Sequence, residues 1–574
     1  MHRDEDEKST TTPDAINRRA FVVSSVVGGA LAVADAALPR RAGAIDVRVA
    51  VPMAAPMPSP WTAPDDFPLA EITIDRLRAA MQSGQYTARS IVEQYLSRID
   101  ALDQSGPTVN AIIELNPEAL AIADALDAER KSKGARGPMH GIPVLIKDNI
   151  ATADKMQTTA GSLALVGGTP PRDAHIVDRL RAAGAVILGK TNLSEWANYR
   201  SSHSCSGWSG RGGQTRNPYA LDRNPSGSSS GSAAATASNF CAVSVGTETD
   251  GSIVSPSSCS SLVGLKPTVG LVSRAGIVPI SHVQDTSGPI CRTVRDAAIL
   301  LSALAGIDPR DAATSGSGGK SVPDYTVFLD PSGLKGARIG VARKNYFGSN
   351  SAVDKAVDDA IDVMRHQGAI IVDPADIKTS GQYDDAEAEA LLYEFKADLN
   401  RYLSELGQSA AVRTLADVVA FNDAHHDIEL PYFAQELMVK AQAMGPLTTA
   451  KYIAAREKCT RLARTLGIDH TMDQYRLDAI IAPTGAPPWP IDLVNGDAST
   501  ASSSTPAAVA GYPSITVPVG FTCGLPIGMS FIGRAYTEGV LLRLAFAYEQ
   551  AATMRQPPKF RPAADVVMNG RPKR

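Results

Sequence analysis

Three side chains in this sequence are of the types that could together break an amide bond: one lysine and two serines. Lys147 follows the apolar run Ile142-Pro143-Val144-Leu145-Ile146, which reads as a buried strand. A lysine at such a strand end is either a surface charge or a desolvated amine. Burial disfavours the charged form and pulls the pKa down from about 10.4, so a buried lysine serves as a base near neutral pH. Ser228 lies in the turn N-P-S-G-S-S-S-G-S, residues 224–232, and Ser252 closes the turn G-T-E-T-D-G-S, residues 246–252. A strand entering a tight turn leaves backbone N–H groups without partners. Those of Thr249, Asp250, Gly251 and Ser252 are placed to converge on an oxyanion. A nucleophilic serine needs such donors and a base. The two serines lie 24 residues apart. A helix over 232–237 and a strand over 241–245 fit between them and would return both hydroxyls to one end of a sheet. Each feature also has a plain structural reading: a strand-end lysine, a flexible Gly/Ser loop and an N-cap serine.

The elements that must hold these residues alternate in type. Helices are expected over 87–102, 118–133, 175–183, 295–305, 352–367 and 540–552. Strands are expected over 142–146, 185–188, 264–266, 337–341, 369–372, 477–482, 514–519 and 528–532. This alternation argues for an α/β architecture with a largely parallel, buried sheet. Residues 383–465 read as a helical insertion able to cover the mouth of a site, and 309–335, rich in Gly, Ser, Asp and Pro, as a surface connection. The expected organisation is an export segment over 1–44, a proline-rich linker over 45–68, one domain over 69–560 and a basic tail over 561–574. Asn17-Arg18-Arg19-Ala20-Phe21, the apolar run to Ala34 and Ala42-Gly43-Ala44 describe a twin-arginine type of signal, which implies a periplasmic or secreted protein.

Composition narrows the class further. The chain has 574 residues, a formal charge of −4 and 44% apolar content, with no basic excess that would favour nucleic acid. The apolar run near the start is too short for a stable membrane span. None of the six cysteines forms a C-x-x-C pair and no H-E-x-x-H occurs, so neither metal nor cofactor is expected. Core thiols are the simplest reading, with one or two disulfides open to an exported chain.

Lys147, the G-S-S-S-G-S turn and G-T-E-T-D-G-S-I-V-S-P together resemble the amidase signature family. So do D-A-I-I-A-P at 478–483, A-G-Y-P-S at 510–514 and G-L-P-I-G at 524–528. The resemblance spans roughly 70–555. It implies the amidase signature fold, an α/β fold with a large, twisted, mixed and mostly parallel sheet flanked by helices on both faces, and a Ser-cisSer-Lys triad: Ser252 as nucleophile, Ser228 as the bridging serine next to a cis peptide bond, and Lys147 as base. It implies carboxamide hydrolysis through an acyl-enzyme. The sequence departs from the family's G-G-S-S-G-G and S-I-R at Ser228, Ser232 and Val254 without losing a triad member. These variants, with S-E-W-A-N-Y at 194–199, G-G-Q-T-R-N-P at 212–218 and L-L-Y-E-F-K at 391–396, are most similar to the peptide amidases. Those remove C-terminal peptide amides as ammonia and spare internal peptide bonds. The partner implied is a small-molecule or short-peptide amide, with the chain a monomer or weak homo-oligomer. Aryl- and fatty-amide hydrolysis is the alternative within the family.

Other readings fit less well. Residues 227–231 match G-x-S-x-G with Ser229 as nucleophile, but no strand precedes them. Ser317 and Lys320 match S-x-x-K inside a Gly/Ser loop. One component of an amidotransferase that works on charged tRNA would keep the fold, but that work is cytoplasmic, against the export signal. A non-catalytic binding protein would not need Lys147, Ser228 and Ser252 intact.

Overall fold

The computed structural model describes residues 66–407, 410–498 and 502–565. The export signal over 1–44 and the linker up to residue 65 lie outside the described residues, as does the tail from 566 onward.

Eleven strands form one sheet. They are β1 (Ile112–Leu115), β2 (Pro143–Lys147), β3 (Val186–Thr191), β4 (Val243–Glu248), β5 (Val263–Lys266), β6 (Thr286–Cys291), β7 (Arg338–Val341), β8 (Ile370–Val372), β9 (Ala479–Pro483), β10 (Ser514–Thr522) and β11 (Leu525–Ile532). The spatial order is β1-β3-β2-β4-β6-β5-β10-β11-β9-β7-β8. The sheet is large and mixed, as expected. Parallel pairing holds its two flanks, β3-β2-β4 and β9-β7-β8. The middle, from β4 through β6, β5, β10 and β11 to β9, and the edge pair β1–β3 run antiparallel. β6 was not foreseen because Gly288 and Pro289 interrupt its strand pattern.

Helices cover both faces. Along β6, Ile290 packs with Ala233 and Ala237 of helix α1 (Ser230–Ala237) and with Ile253, just before helix α2 (Val254–Cys259). Its neighbour Cys291 joins the core that holds Ala297, Ala298 and Leu301 of helix α3 (Val294–Leu304). Successive strand residues point to opposite faces, so α1 and α3 lie on opposite sides of the sheet.

Two boundaries move. The helical stretch begins with α4 (Asp384–Glu405) and does not stop at 465. It continues through a π-helical turn, Arg461–Ile468, into Asp469–Tyr475. Leu391, Phe395 and Leu399 of α4 pack on Trp196, Val278 and Ile280, so this helix lies against the segments that flank the serine turns. Residues 309–335 are more than a surface connection: they form two short 3-10 turns, Ala312–Ser317 and Tyr325–Phe328, and bury Tyr325 and Leu334.

Arg200 clamps the helical stretch to the core. It is fully buried, and its Nη1 donates to Glu195 Oε1 at 2.7 Å and to the Glu429 carbonyl. Its guanidinium stands over the Phe433 ring at 4.1 Å and the Trp208 ring at 5.0 Å.

Candidate active site

Lys147 is the last residue of β2, and its side chain is fully buried. β2 and β4 run parallel with Ile146 opposite Val245, which sets Lys147 beside the end of β4. Its Nζ lies 2.7 Å from Ser228 Oγ, 2.9 Å from Thr247 Oγ1 and 3.3 Å from the Thr247 carbonyl. Burial pulls the amine down to about 7, against the opposing pull of Asp285 and Glu248. A neutral amine has two N–H donors and one lone pair. Thr247 offers an oxygen to each donor, which leaves the lone pair to accept from the Ser228 hydroxyl.

Two other lysines are equally buried but face no serine. Lys190 donates to the Ile150 carbonyl at 2.7 Å and to Thr158 Oγ1 at 2.9 Å; Lys266 donates to the Tyr512 carbonyl at 2.6 Å. Burial brings both to about 8.

The Ser228 turn is braced on every side. The Gly227–Ser228 peptide is cis. The Ser228 carbonyl accepts from the Ser194 N–H at 3.1 Å. A Cβ on Gly231 would fall on the carbonyl oxygens of Ala111 and Asn192, so the start of α1 closes on its neighbours only as glycine. Ser229, the nucleophile of the elbow reading, is fully buried, and its hydroxyl donates to the Thr247 carbonyl at 3.0 Å. Ser317 and Lys320 are also occupied elsewhere. The Ser317 hydroxyl donates to the Thr314 carbonyl, and the Lys320 ammonium sits 4.2 Å above the Tyr536 ring.

Ser252 is brought to this turn through backbone. Its carbonyl accepts from the Ser229 N–H at 3.2 Å, and its residue is 7% exposed. The chain reaches it through Gly251 at φ 77°, a left-handed conformation that favours glycine. Among the described residues no hydrogen bond joins the Ser228 and Ser252 hydroxyls. Glu248 Oε2 accepts from the N–H groups of Ile253 at 2.7 Å and Val254 at 3.0 Å. Those bonds satisfy the start of α2. The N–H groups of Thr249, Asp250, Gly251 and Ser252 donate to no other described residue. The loop is held by side chains instead: Thr249 Oγ1 donates to Asp285 Oδ1 at 2.6 Å, and Ser504 Oγ donates to Asp250 Oδ1 at 2.5 Å. Burial raises Asp285 to about 6.

A cavity of about 630 Å³ adjoins this arrangement, with Asn149, Thr247, Thr249, Asp285, Ile280 and Tyr402 in its wall. Ser228 and Ser252 are not part of that wall; the cavity meets the site at Thr247 and Thr249. All six cysteines are free thiols, and Cys523 is the exposed one. Among the described residues, no group of three His, Cys, Asp or Glu is placed to hold a metal ion.

The sequence reading named Lys147, Ser228 and Ser252 but missed Thr247 and Asn149. Asn149 Nδ2 donates to Thr247 Oγ1 at 2.9 Å and so fixes the hydroxyl that meets Lys147. The register of β2 on β4 is the signal that would have exposed Thr247, and it is not readable without the sheet. Thr247→Val keeps the shape and removes that hydroxyl. Its kcat is expected to fall about 10- to 100-fold with KM nearly unchanged, as a lost bond of about 1–3 kcal/mol at the reacting lysine would give. Steady-state kinetics on one amide substrate checks this.

Known proteins resemble this chain over most of its length. The family model described as Amidase matches residues 90–542. A probable amidase of Arabidopsis thaliana is 45% identical over 504 residues, covering 86% of this chain and 92% of that protein. The A-type component of the glutamyl-tRNA(Gln) amidotransferase of Chloroflexus aurantiacus is 36% identical over 495 residues, covering 84% of this chain and 97% of that protein. The crystal structure of native peptide amidase from Stenotrophomonas maltophilia superposes with a TM-score of 0.83 at 50% identity, covering 86% of this chain and 100% of that one. The chain is an amide-hydrolysing enzyme and belongs to the amidase signature family.

Proposed function

We propose that the protein removes the C-terminal amide of peptides as ammonia, through an acyl-enzyme on Ser252. The observation that carries this reading is the 2.7 Å contact of Lys147 Nζ with Ser228 Oγ in a fully buried setting. Neutral Lys147 takes the Ser228 proton while Ser228 takes that of Ser252, and Ser252 Oγ attacks the amide carbonyl carbon. The oxyanion forms beside the free N–H groups of the 249–252 turn. The C–N bond then breaks, the relay returns the proton to nitrogen, and ammonia leaves. Water repeats the route on the ester and releases the free acid. The link between the serines closes as substrate fills the site, since catalytic hydrogen bonds are often open in the free enzyme.

The likeness to the Stenotrophomonas maltophilia peptide amidase, at 50% identity, supports the substrate class. Residues 1–44 have the order of an export signal, and on this reading the enzyme works outside the cytoplasm. The test is incubation of the purified chain with an amidated dipeptide. Ammonia and the free dipeptide acid should appear in equal amounts. Hydrolysis of aryl or fatty amides alone would sink the peptide assignment; activity only alongside partner chains and charged tRNA would point to an amidotransferase component instead.

A further inference from the structure

The oxyanion turn is held by a carboxylate from another part of the chain. β4 ends at Glu248, and the N–H groups of the next four residues have no partner among the described residues. N–H dipoles gathered in one turn repel one another, and a loose turn would rotate them out to water. Their direction has to be set by what the loop's side chains grip.

The sheet register supplies the grip. β4 and β6 run antiparallel with Glu248 opposite Thr286, so the chain leaving β4 meets the chain entering β6 and Thr249 comes to face Asp285. Thr249 Oγ1 donates to Asp285 Oδ1 at 2.6 Å. Asp285 Oδ2 accepts from the N–H groups of Ile280 and Ser281, each at 2.8 Å. Arg274, the cation whose field reaches this carboxylate, is committed to Asp311, which its Nε meets at 2.8 Å. Asp285 is therefore bonded through O–H and N–H donors rather than a salt bridge. The segment that carries it is itself anchored. The Ser281 hydroxyl accepts from the N–H groups of Val283 at 3.1 Å and Gln284 at 3.0 Å, and it donates to Glu394 of α4. Glu394 in turn accepts from the Tyr452 hydroxyl at 2.9 Å. Thr249, Ile280, Ser281 and Asp285 all stand in the wall of the 630 Å³ cavity, on the side where it meets the site.

We propose that Asp285 is a positioning residue for the reaction: it pins the Thr249 side chain so that the Thr249 N–H stays turned towards the oxyanion, and it acts on turnover through that bond. An ionised carboxylate has no proton to give, so the Thr249 hydroxyl can only donate to it. The β-branched stem of Thr249 is short and stiff, so fixing its hydroxyl fixes the backbone that carries the N–H. The inference rests on the proposed role of the 249–252 turn beside Ser252.

The experiment is a double-variant cycle on an amidated dipeptide, on the plateau above pH 7. Thr249→Val keeps the branched shape and removes the hydroxyl. Asp285→Asn can still serve the two N–H groups but offers Thr249 no anion. Each should lower kcat about 10- to 100-fold with KM within about threefold, as a misdirected oxyanion donor would give. The two together should lose no more than about threefold beyond the worse single variant, because both remove one bond. Thr249→Ser, which keeps the hydroxyl, should lose less than Thr249→Val. Losses that multiply, a loss carried by KM, or a Thr249→Val kcat within about threefold of the wild type would each overturn the proposal. If Asp285→Asn does not fold, the kcat of Thr249→Val against that of Thr249→Ser decides: equal values overturn the proposal, and a tenfold gap supports it. Ser252→Ala in the same assay separates the two readings. Its inactivity beside an unimpaired Thr249→Val sinks the brace alone, whereas its turnover sinks the proposed function and the brace with it.

Discussion

Ser252→Ala should abolish turnover while leaving substrate binding within a few-fold of the wild type. Loss of the nucleophile in a serine triad costs about five to six orders of magnitude in kcat, because the remaining members have nothing to activate. The fold should not notice the change. Ser252 is held by its backbone, through the carbonyl that accepts from Ser229 N–H, and its hydroxyl braces no neighbour. Thermal unfolding and ligand binding of the variant provide the control. The acyl-enzyme gives a second readout: a slow amide substrate should add its acyl mass to the wild type and none to Ser252→Ala. Retained turnover, with Ser229→Ala inactive instead, would move the chemistry to the elbow reading.

The second large effect belongs to Lys147. Its amine is pulled down to about 7 by burial, and only the neutral form can take a proton from Ser228. The sign follows: kcat/KM should rise about tenfold per pH unit below 7 and level off above it, because deprotonation creates the active form. At about pH 5, roughly one molecule in a hundred carries the neutral amine. Lys147→Ala should lose about 10³- to 10⁴-fold on the plateau above pH 7, and with it the acidic limb of the profile. Lys147→Arg should be no better, since a guanidinium does not give up its proton. A profile that falls as pH passes upward through 7 would contradict a neutral base. An acidic limb that survives in Lys147→Ala would assign that limb to another group; Asp285, brought to about 6 by burial, is the nearest candidate.

Much of this site was legible in one dimension, for physical reasons. Lys147 stands out because a charged residue ends a run of aliphatic ones, and the two serine turns stand out because glycine and serine gather there. The strands that flank the site were visible through their apolar runs. The centre of the sheet was not. β6 carries Gly288 and Pro289, yet it pairs on both sides, with Val245 opposite Pro289 on β4 and Gly264 opposite Ile290 on β5. Thr247 and Asn149 were invisible for a different reason. Threonine and asparagine near strand ends are common, and their meaning comes only from the register that sets them on Lys147. The helical stretch was seen but ended too early, because Gly467 breaks the pattern while the backbone passes through a π-helical turn and continues.

The three lysines sealed inside the sheet have a consequence for the whole chain. In the denatured protein each keeps its proton up to about pH 10.4. In the native protein Lys147 surrenders it near 7, and Lys190 and Lys266 near 8. Between roughly pH 8 and 10 folding therefore expels protons into the medium, and by linkage alkali favours the native form across that interval. Acidification does the reverse, leaving three charged amines to be held by the few protein oxygens around them.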